Sequence, residues 1–419
     1  MCIVQSSKRD GGLMTRNSVV PEDRFVGTPL GVRLAQYAVL ANDPSVPEIA
    51  ADWWKICEPH YRSVVEPLAA ATDGDRSGED LARLAAAPSD ESRERALADS
   101  LGDFLERFPD TASRMAGLVA AADPHLLIDY RRGARPDPPA AEVDLATVLA
   151  WRPPPAEQSA AVRTVVVIPF RDRTNGARTR NLLACLASLR AQRRRVDDVT
   201  VTVVESDDEP RWEEAIRPWV DHYVFARHSG HFNKSWAVNV GVRQTPGTPE
   251  LICMLDADVL VDELFLERNL ARAERGGPSS FLPYQDMFCL DAASSHAAIR
   301  RRCEQGAPDV PLDSFRALIL REPPGANLWV RADVFHRIGG FDERYTGWGG
   351  EDDDMVARLV RAGGFARFAD PLLHLSHPRP QMTLDGAPFN AHIEPGSWDP
   401  GHGYGQLHGP AAAAAAGRP

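Results

Sequence analysis

The chain has 419 residues, 43% of them hydrophobic, and carries a formal net charge of −12 from 47 basic and 59 acidic residues. This length allows two or three domains with a sizeable core, and the acidic balance argues against nucleic acid as a partner, although a local basic cleft stays open. Six scattered cysteines form no CxxC pair, and no apolar stretch resembles a signal core or reaches membrane-span length, so we expect a reduced, soluble, cytoplasmic protein without a membrane span.

Changes in sequence texture divide the chain into five segments. Residues 1–28 show no periodicity and are predicted to be a flexible arm, whereas residues 29–130 carry apolar side chains at helical spacing and are predicted to be a helical accessory domain. Residues 131–163 form a proline-rich linker. Residues 164–380 alternate strands and helices, and residues 381–419, rich in proline, glycine and alanine, are predicted to be a partly disordered tail.

The segment 164–380 is predicted to have an α/β fold, with a mainly parallel, Rossmann-like sheet and flanking helices. Apolar runs between helical stretches predict strands at Thr164–Pro169, Val199–Glu205, His222–Ala226, Leu251–Leu255 and Asn327–Val330. Ligands of such sheets bind at the carboxyl ends of the strands. Because no GxGxxG follows a strand and no GxxxxGK[ST] loop is present, a dinucleotide fold or a P-loop is disfavoured. We assign no element to residues 276–322.

Two carboxylates follow the predicted strand Leu251–Leu255. Asp256 and Asp258 are two residues apart, so in an extended segment their side chains point the same way and can address one ligand together. A cation between them would relieve their repulsion, and oxygen ligands of this kind suit Mg²⁺ or Mn²⁺. A strand that simply runs into a polar loop gives the same pattern. The motifs on either side of the two aspartates must therefore decide between a ligand site and a loop.

Charged residues also follow the first two strands of this segment. Arg171 and Arg173, with Arg178 nearby, provide guanidinium groups that can hold a nucleotide diphosphate, although a solvated loop has the same composition. Glu205 and Asp207 end the second strand, where an acid can accept a hydrogen bond from a base edge or a ribose hydroxyl.

Three further motifs carry candidate chemistry. Lys234 opens a predicted helix and can approach a nucleotide or a phosphate there. Glycine-rich residues 347–350 precede four consecutive acids, residues 351–354, which exceed what a helix dipole needs and can include a general base. His374 and His377 follow a predicted strand and can supply a nitrogen ligand to an ion held by the aspartates.

Together these motifs resemble the GT-A glycosyltransferases, specifically the family 2 and β1,4-galactosyltransferase group. Four of them occur in that family's order over about residues 164–380. They are Pro169-Phe170-Arg171-Asp172-Arg173, Phe232-Asn233-Lys234, Asp256-Ala257-Asp258 and Gly347-Trp348-Gly349-Gly350-Glu351-Asp352-Asp353-Asp354. The last motif is the most specific, and bacterial chondroitin-type polymerase domains share its Trp-Gly-Gly-Glu-Asp segment.

The resemblance implies an inverting transfer of a hexose, glucose or galactose, from a UDP-sugar, with Mn²⁺ or Mg²⁺ as cofactor. Its implied nucleotide-binding residues are Arg171, Arg173, Glu205, Phe232, Lys234 and Asp256. Its implied metal ligands are Asp258 and His377, with Asp256 and His374 as further candidates; the family has a methionine and a histidine three residues apart at the positions of the two histidines. Asp352 would be the catalytic base, with Glu351 and Asp353 holding the acceptor.

The acceptor is not indicated by these motifs. We expect a small soluble molecule such as a cyclitol or an antibiotic precursor, as for glucosyltransferases of the validamycin pathway, because no membrane span or second catalytic copy is evident. An oligosaccharide acceptor, in capsule or cell-wall glycan assembly, is the alternative. A metal-dependent hydrolase and a non-catalytic nucleotide-sugar binder also remain open.

Overall fold

The structure, a computed structural model, describes residues 28–49, 51–132, 141–154, 162–193, 198–274, 276–384, 386–399, 401 and 403–407. Almost all of the predicted arm, much of the predicted linker and the alanine run near the carboxyl terminus lie outside these residues. The chain divides into two compact units. One comprises the described residues up to Arg131 together with Leu318–Arg321, and the other comprises those of Arg132–Ala317 and from Glu322 onward.

The first unit is mainly helical. Its elements are α1 (Leu30–Asn42), α2 (Ser45–Ile49), α3 (Ala51–Ala71), α4 (Arg76–Ala86), α5 (Glu91–Arg107), α6 (Pro109–Ala122) and β1 (Ile128–Arg132). The buried Arg33 of α1 donates to Asp129 and to Asp123, each at 2.7 Å, and Asp129 also pairs with Arg321. The ion pairs compensate the cost of burying these charges and tie α1 to the end of the unit. Within the described residues, no helix combines the length and apolarity that a membrane crossing requires.

The second unit alternates strands and helices. Its helices are α7 (Leu145–Leu149), α8 (Ala177–Arg190), α9 (Glu213–Ile216), α10 (Lys234–Gln244), α11 (Phe265–Arg272), α12 (Ala292–Ile299), α13 (Ala332–Arg337) and α14 (Glu351–Ala362). Its strands are β2 (Thr164–Phe170), β3 (Val199–Glu205), β4 (His222–Phe225), β5 (Leu251–Leu255), β6 (Val259–Leu260), β7 (Ser280–Leu290), β9 (Asn327–Arg331), β10 (Phe365–His374), β11 (Thr383–Leu384) and β12 (Ala387–Pro388). Strand β8 (Arg316–Arg321) contributes its last four residues to the first unit.

The sheet of the second unit brings several predicted motifs to one edge. Its strand order is β7-β9-β5-β2-β3-β4, in which β5, β2, β3 and β4 are parallel and β9 is antiparallel to both of its neighbours. The carboxyl ends of β2, β3 and β5 therefore share one edge. The predicted α/β class, with a mainly parallel sheet, flanking helices and an N-terminal helical region, is confirmed.

The unassigned segment 276–322 contains β7, α12 and β8. Strand β7 is the partner of β10, which also pairs antiparallel with the short strand β6. The eleven residues of β7 are mostly buried and apolar without alternation, so periodicity alone could not separate this strand from a buried helix. Helix α9 is only four residues long, because it gives way at Arg217 to a 3₁₀ turn that contains Pro218.

Helix α10 lies unusually close to the sheet. A Cβ added at Gly241 would overlap the Val167 side chain of β2 and come within 2.9 Å of Val204 Cγ2 of β3. The absence of a side chain at this position therefore sets the distance between α10 and the strands. That distance matters for the candidate site, because α10 begins with Lys234 at the carboxyl edge of the sheet.

We predict that Gly241→Ala lowers the free energy of unfolding of the second unit by about 1–3 kcal/mol, the usual cost of overfilling a packed core. Thermal denaturation followed by calorimetry would measure this loss. Gly117→Ala is the matched control, because Gly117 is an exposed helical glycine with no atom within 4 Å of the added Cβ, and the change there should be neutral or stabilising by up to about 1 kcal/mol. Equal effects at both positions would contradict the packing argument.

Candidate active site

A cavity of about 400 Å³ lies at the carboxyl ends of β2 and β5. Motifs that are far apart in the chain line this one cavity, and all of its lining residues belong to the second unit. The predicted site residues in the lining are Arg171, Arg173, Phe232, Lys234, Asp256, Asp258, Glu351, Asp352, His374 and His377. Glu205 and Asp353 are absent from it.

One side of the cavity holds a cluster of Asp258, His374 and His377. Asp258 Oδ2 lies 2.9 Å from His377 Nε2, and Asp258 Oδ1 lies 3.4 Å from His374 Nε2. The β6–β10 pairing builds this cluster, because His374 is the register partner of Val259, the residue after Asp258. The amide of Leu375 also donates to the Asp258 carbonyl, at 2.8 Å.

This cluster fits a divalent cation. Its three candidate ligand atoms lie within 4.8 Å of one another, and one carboxylate with two imidazoles is a donor set that Mn²⁺ and similar ions accept. Asp258 Oδ1 is buried and accepts no hydrogen bond from any described residue. The Nδ1 of His377 lies 2.9 Å from the Pro378 carbonyl, an arrangement that orients a metal-binding ring and leaves Nε2 to the ion.

The electrostatics of the cluster favour the charge states that a metal needs. Burial opposes ionisation of Asp258, but the two histidines hold its pKa well below the ordinary range. Burial lowers the pKa of His374 to about 4, against the pull of Asp258. A carboxylate beside a neutral imidazole is the ligand state that binds a divalent ion.

Lys234 connects a second group of acids on the same cavity. Its Nζ lies 3.0 Å from Asp256 Oδ1, 2.9 Å from Asp352 Oδ2 and 3.9 Å from Glu351 Oε1. Burial favours the neutral lysine, but Asp256, Asp352 and Glu351 raise its pKa well above the usual value. Lys234 was expected beside the nucleotide base, and Asp256 was an additional metal candidate. In the structure the two pair with each other instead, and Asp256 is not part of the histidine cluster.

The four consecutive acids of α14 point in different directions. Glu351 and Asp352 line the cavity, and burial raises the pKa of Glu351 to about 7. Asp354 is fully buried away from the cavity, where it accepts from Arg358 Nε at 2.8 Å and from the Gly396 amide at 2.6 Å. Asp353 is outside the cavity lining. The α-helical rotation of about 100° per residue separates these faces.

The predicted nucleotide-binding residues of β2 and β3 have internal partners. Arg171 donates from Nε, Nη1 and Nη2 to the carbonyls of Ser206, Gly230 and His228. Glu205 lies outside the cavity, because its carboxylate accepts from the amides of Arg211 and Trp212 and from the Tyr223 hydroxyl. This corrects the expectation that Glu205 faces a nucleotide. Its charge fixes the turn after β3.

The segment after His377 is packed onto the glycine-rich loop. Phe389 lines the cavity against Gly347, and Asn390 donates to the Gly349 carbonyl at 2.7 Å. Farther on, Trp398 donates to the Gly339 carbonyl at 2.8 Å, and the Gly405 amide donates to Glu343 at 2.6 Å. Gln381 and Phe389, from the predicted tail, therefore line the site. No periodic pattern in the sequence indicates this packing, which combines side-chain hydrogen bonds to loop carbonyls with the burial of Phe389 and Ile393.

Two protein-family models match the part of the chain that contains the cavity. The family model described as "Glycosyl transferase family 2" matches residues 165–338, and the one described as "N-terminal domain of galactosyltransferase" matches residues 320–378. Between them, these two glycosyltransferase family models cover residues 165–378. The two matches contain both the Asp258 cluster and the Asp352 carboxylate.

Among curated proteins, this chain is similar to two validoxylamine A glucosyltransferases. One is from Streptomyces hygroscopicus subsp. jinggangensis (strain 5008) and the other from Streptomyces hygroscopicus subsp. limoneus; each is 27% identical in an alignment of 205 residues that covers 42% of this chain. The aligned part spans about half the length of these relatives, 48% and 44%. Among solved structures, S. aureus TarS 1-349 has a TM-score of 0.37 at 14% identity, covering 51% of this chain and 60% of TarS, which is too distant to inform function.

We predict that His377→Ala lowers the affinity of the protein for Mn²⁺ by at least about tenfold, because losing a ligand costs no less than losing a residue that orients one. Isothermal titration of metal-stripped protein with Mn²⁺ measures this change. His392→Ala is the matched control, since His392 is exposed and absent from the cavity lining. Unchanged Mn²⁺ affinity in the His377 variant would remove this histidine from the metal site.

Proposed function

We propose that the protein is an inverting, metal-dependent glycosyltransferase that moves a hexose, glucose or galactose, from a UDP-sugar to a hydroxyl of a small acceptor. The observation that carries this proposal is that one cavity contains both a candidate cation-binding cluster and a separate candidate general base. A cation-binding cluster around Asp258 lines it together with the Asp352 carboxylate, which has no role in that cluster. Such a division suits a transfer in which one side holds the leaving group and the other activates the nucleophile.

The reaction is a single displacement at the anomeric carbon. The acceptor oxygen forms a bond to that carbon while the bond to the diphosphate oxygen breaks, and both electrons of the broken bond leave with UDP. Asp352 takes the proton of the acceptor hydroxyl, a general-base contribution of roughly 10²–10⁴ in rate. Attack from the face opposite the leaving group inverts the configuration.

Lys234 supports this role of Asp352. The ammonium lies 2.9 Å from Asp352 Oδ2 and also contacts Asp256, which is fixed at the end of β5. It therefore holds Asp352 in one orientation before the acceptor arrives. We infer that Lys234 is a positioning residue rather than a ligand of the nucleotide base.

Asp258, His374 and His377 would hold the divalent ion, Mn²⁺ or Mg²⁺, whose chemistry when bound is to neutralise charge on the departing diphosphate. The donor set and the buried Asp258 Oδ1, which accepts no hydrogen bond from the described residues, support this assignment. Asp256 is better explained as the anchor of Lys234.

The similarity to validoxylamine A glucosyltransferases supports glucose as the sugar and a cyclitol or antibiotic precursor as the acceptor. An aromatic and acidic cavity wall, with Trp348, Phe389 and Glu351, suits a polyhydroxylated ring, which presents apolar faces and hydroxyl edges. The proposed reaction would then belong to the biosynthesis of a glycosylated small molecule.

A screen for UDP release tests this function. We expect turnover with UDP-glucose or UDP-galactose in the presence of Mn²⁺ or Mg²⁺ and a cyclitol acceptor, and loss of turnover when the metal is chelated. Asp352→Asn should lower turnover by roughly 10²–10⁴ while UDP-sugar binding, followed by calorimetry, survives. Asp333→Asn is the control, because Asp333 is 73% exposed on α13 and lies outside the cavity lining.

The other outcomes of the screen separate the competing functions. Release of UDP at the same rate without any acceptor would identify a hydrolase, and binding without turnover would identify a nucleotide-sugar binder. Transfer only to an oligosaccharide would move the enzyme to glycan assembly. Full activity in the Asp352→Asn variant would remove the base assignment.

A further inference from the structure

Two arginines, Arg178 and Arg379, line the cavity together with the metal cluster. We propose that these two residues, rather than Arg171 and Arg173, hold the diphosphate of the nucleotide sugar. This inference rests on the proposed function, since it names the residues that bind the leaving group of that reaction. Four observations support it.

First, Arg171 is occupied by the protein itself. All three of its guanidinium nitrogens donate to backbone carbonyls of two loops, and its guanidinium carbon lies 5.4 Å from the centre of the Phe232 ring. Burial lowers its pKa to about 10. A phosphate could recruit this group only by breaking bonds that join the loops after β3 and β4. Arg171 therefore has a structural role.

Second, Arg173 is neutralised by a buried acid. Its Nε and Nη2 donate to the same oxygen of Asp207, at 3.0 Å and 2.5 Å, and Asp207 is almost fully buried. Moving Arg173 to a diphosphate would leave that carboxylate without its closest partner. Breaking a pair of this kind is strongly unfavourable, because the remaining charge stays buried.

Third, Arg178 is held in place but has no acidic partner among the described residues. It stands in the first turn of α8, and the preceding loop is fixed by Asp172, which accepts from the amides of Thr174 and Thr179 at 2.6 Å and 2.7 Å. The Arg178 side chain makes one long contact, 3.3 Å from Nη2 to the Pro378 carbonyl. That contact places it against the segment that carries His377 and Arg379.

Fourth, both arginines line the same cavity as the three candidate metal ligands. Arg379 follows His377 by two residues, and Arg178 contacts the carbonyl of the intervening Pro378. Two guanidinium groups this close to a cation site would repel the ion that it binds. An anion that contacts the arginines and the metal together removes this conflict.

A sugar-linked diphosphate matches that requirement. It offers two phosphate groups, so that some oxygens can face the cation while others accept charge-assisted hydrogen bonds from guanidinium groups. Breaking the glycosidic bond adds a further negative charge to the same group. Arg178 and Arg379 would therefore stabilise the departing UDP more than the intact donor, which is the condition for an effect on rate as well as on binding.

The test compares the affinities for UDP, UMP and uridine of the metal-loaded protein, measured by calorimetry. Arg178→Gln and Arg379→Gln should each weaken UDP binding by about tenfold or more, the usual value of a charge-assisted hydrogen bond, and should leave uridine binding unchanged. The ratio of the affinity for UDP to the affinity for UMP should fall toward one in the double variant. Replacement by lysine should restore part of the ratio, because the charge returns without the guanidinium geometry.

Three comparisons make the result decisive. Arg163→Gln removes an equal charge at a 62% exposed position outside the cavity and should leave every affinity unchanged. Arg173→Gln should preserve the UDP-to-UMP ratio. Arg171→Gln should instead lower the melting temperature, because it removes three hydrogen bonds that join the loops after β3 and β4. Metal affinity measured without nucleotide should not fall in the Arg178 and Arg379 variants.

An unchanged UDP-to-UMP ratio in a folded double variant would overturn this inference alone, provided that the wild type binds UDP and transfers sugar. A ratio that falls in Arg173→Gln but not in the double variant would also overturn it and restore the expectation from the sequence. If the wild type bound no UDP, both this inference and the proposed function would fail.

Discussion

The pairing of β10 with β6 is the constraint on which the candidate site depends. It sets His374 opposite Val259 and thereby brings two histidines from the end of the domain to Asp258, which follows the central strand β5. Without that register the histidines and the aspartate would be ordinary polar residues at strand ends. Because β10 also pairs in parallel with β7, the position of His374 is fixed by two strands, and His377 follows three residues after the end of β10. Ligands held on paired strands keep the geometry that a metal site needs.

The remaining charges of the cavity are sorted by their partners. Lys234 joins Asp256 to Asp352 and so connects the end of β5 to the start of α14, the two elements that carry the leaving-group side and the acceptor side. Arg171 and Arg173 stabilise the walls, and Arg178 and Arg379 remain near the cation cluster. The basic and acidic side chains of the cavity thus fall into separate groups, each with its own partners. In the proposed reaction, one group neutralises the diphosphate and another accepts a proton.

Local patterns in the sequence predicted the framework of this domain and many residues of its cavity. The strand Leu251–Leu255 and the acids after it could be predicted because a buried apolar run ends in two carboxylates. Side-chain partners that are distant in the sequence could not be predicted. Lys234 reaches acids on another helix, Asp354 turns into the core toward Arg358, and Glu205 bonds to the turn that follows it. The segment around Phe389 had no periodic signal, since its order comes from bonds to loop backbone.

The most direct test of the account is a crystal structure of the protein with Mn²⁺ and UDP, in which anomalous scattering at the manganese edge locates the ion. The account predicts one strong anomalous peak within bonding distance of Asp258, His374 and His377, with the diphosphate on the same ion and Asp352 free of it. A peak held instead by Asp256, Glu351 and Asp352 would contradict the division of the cavity into a metal side and a base side, and the proposed mechanism would fall with it.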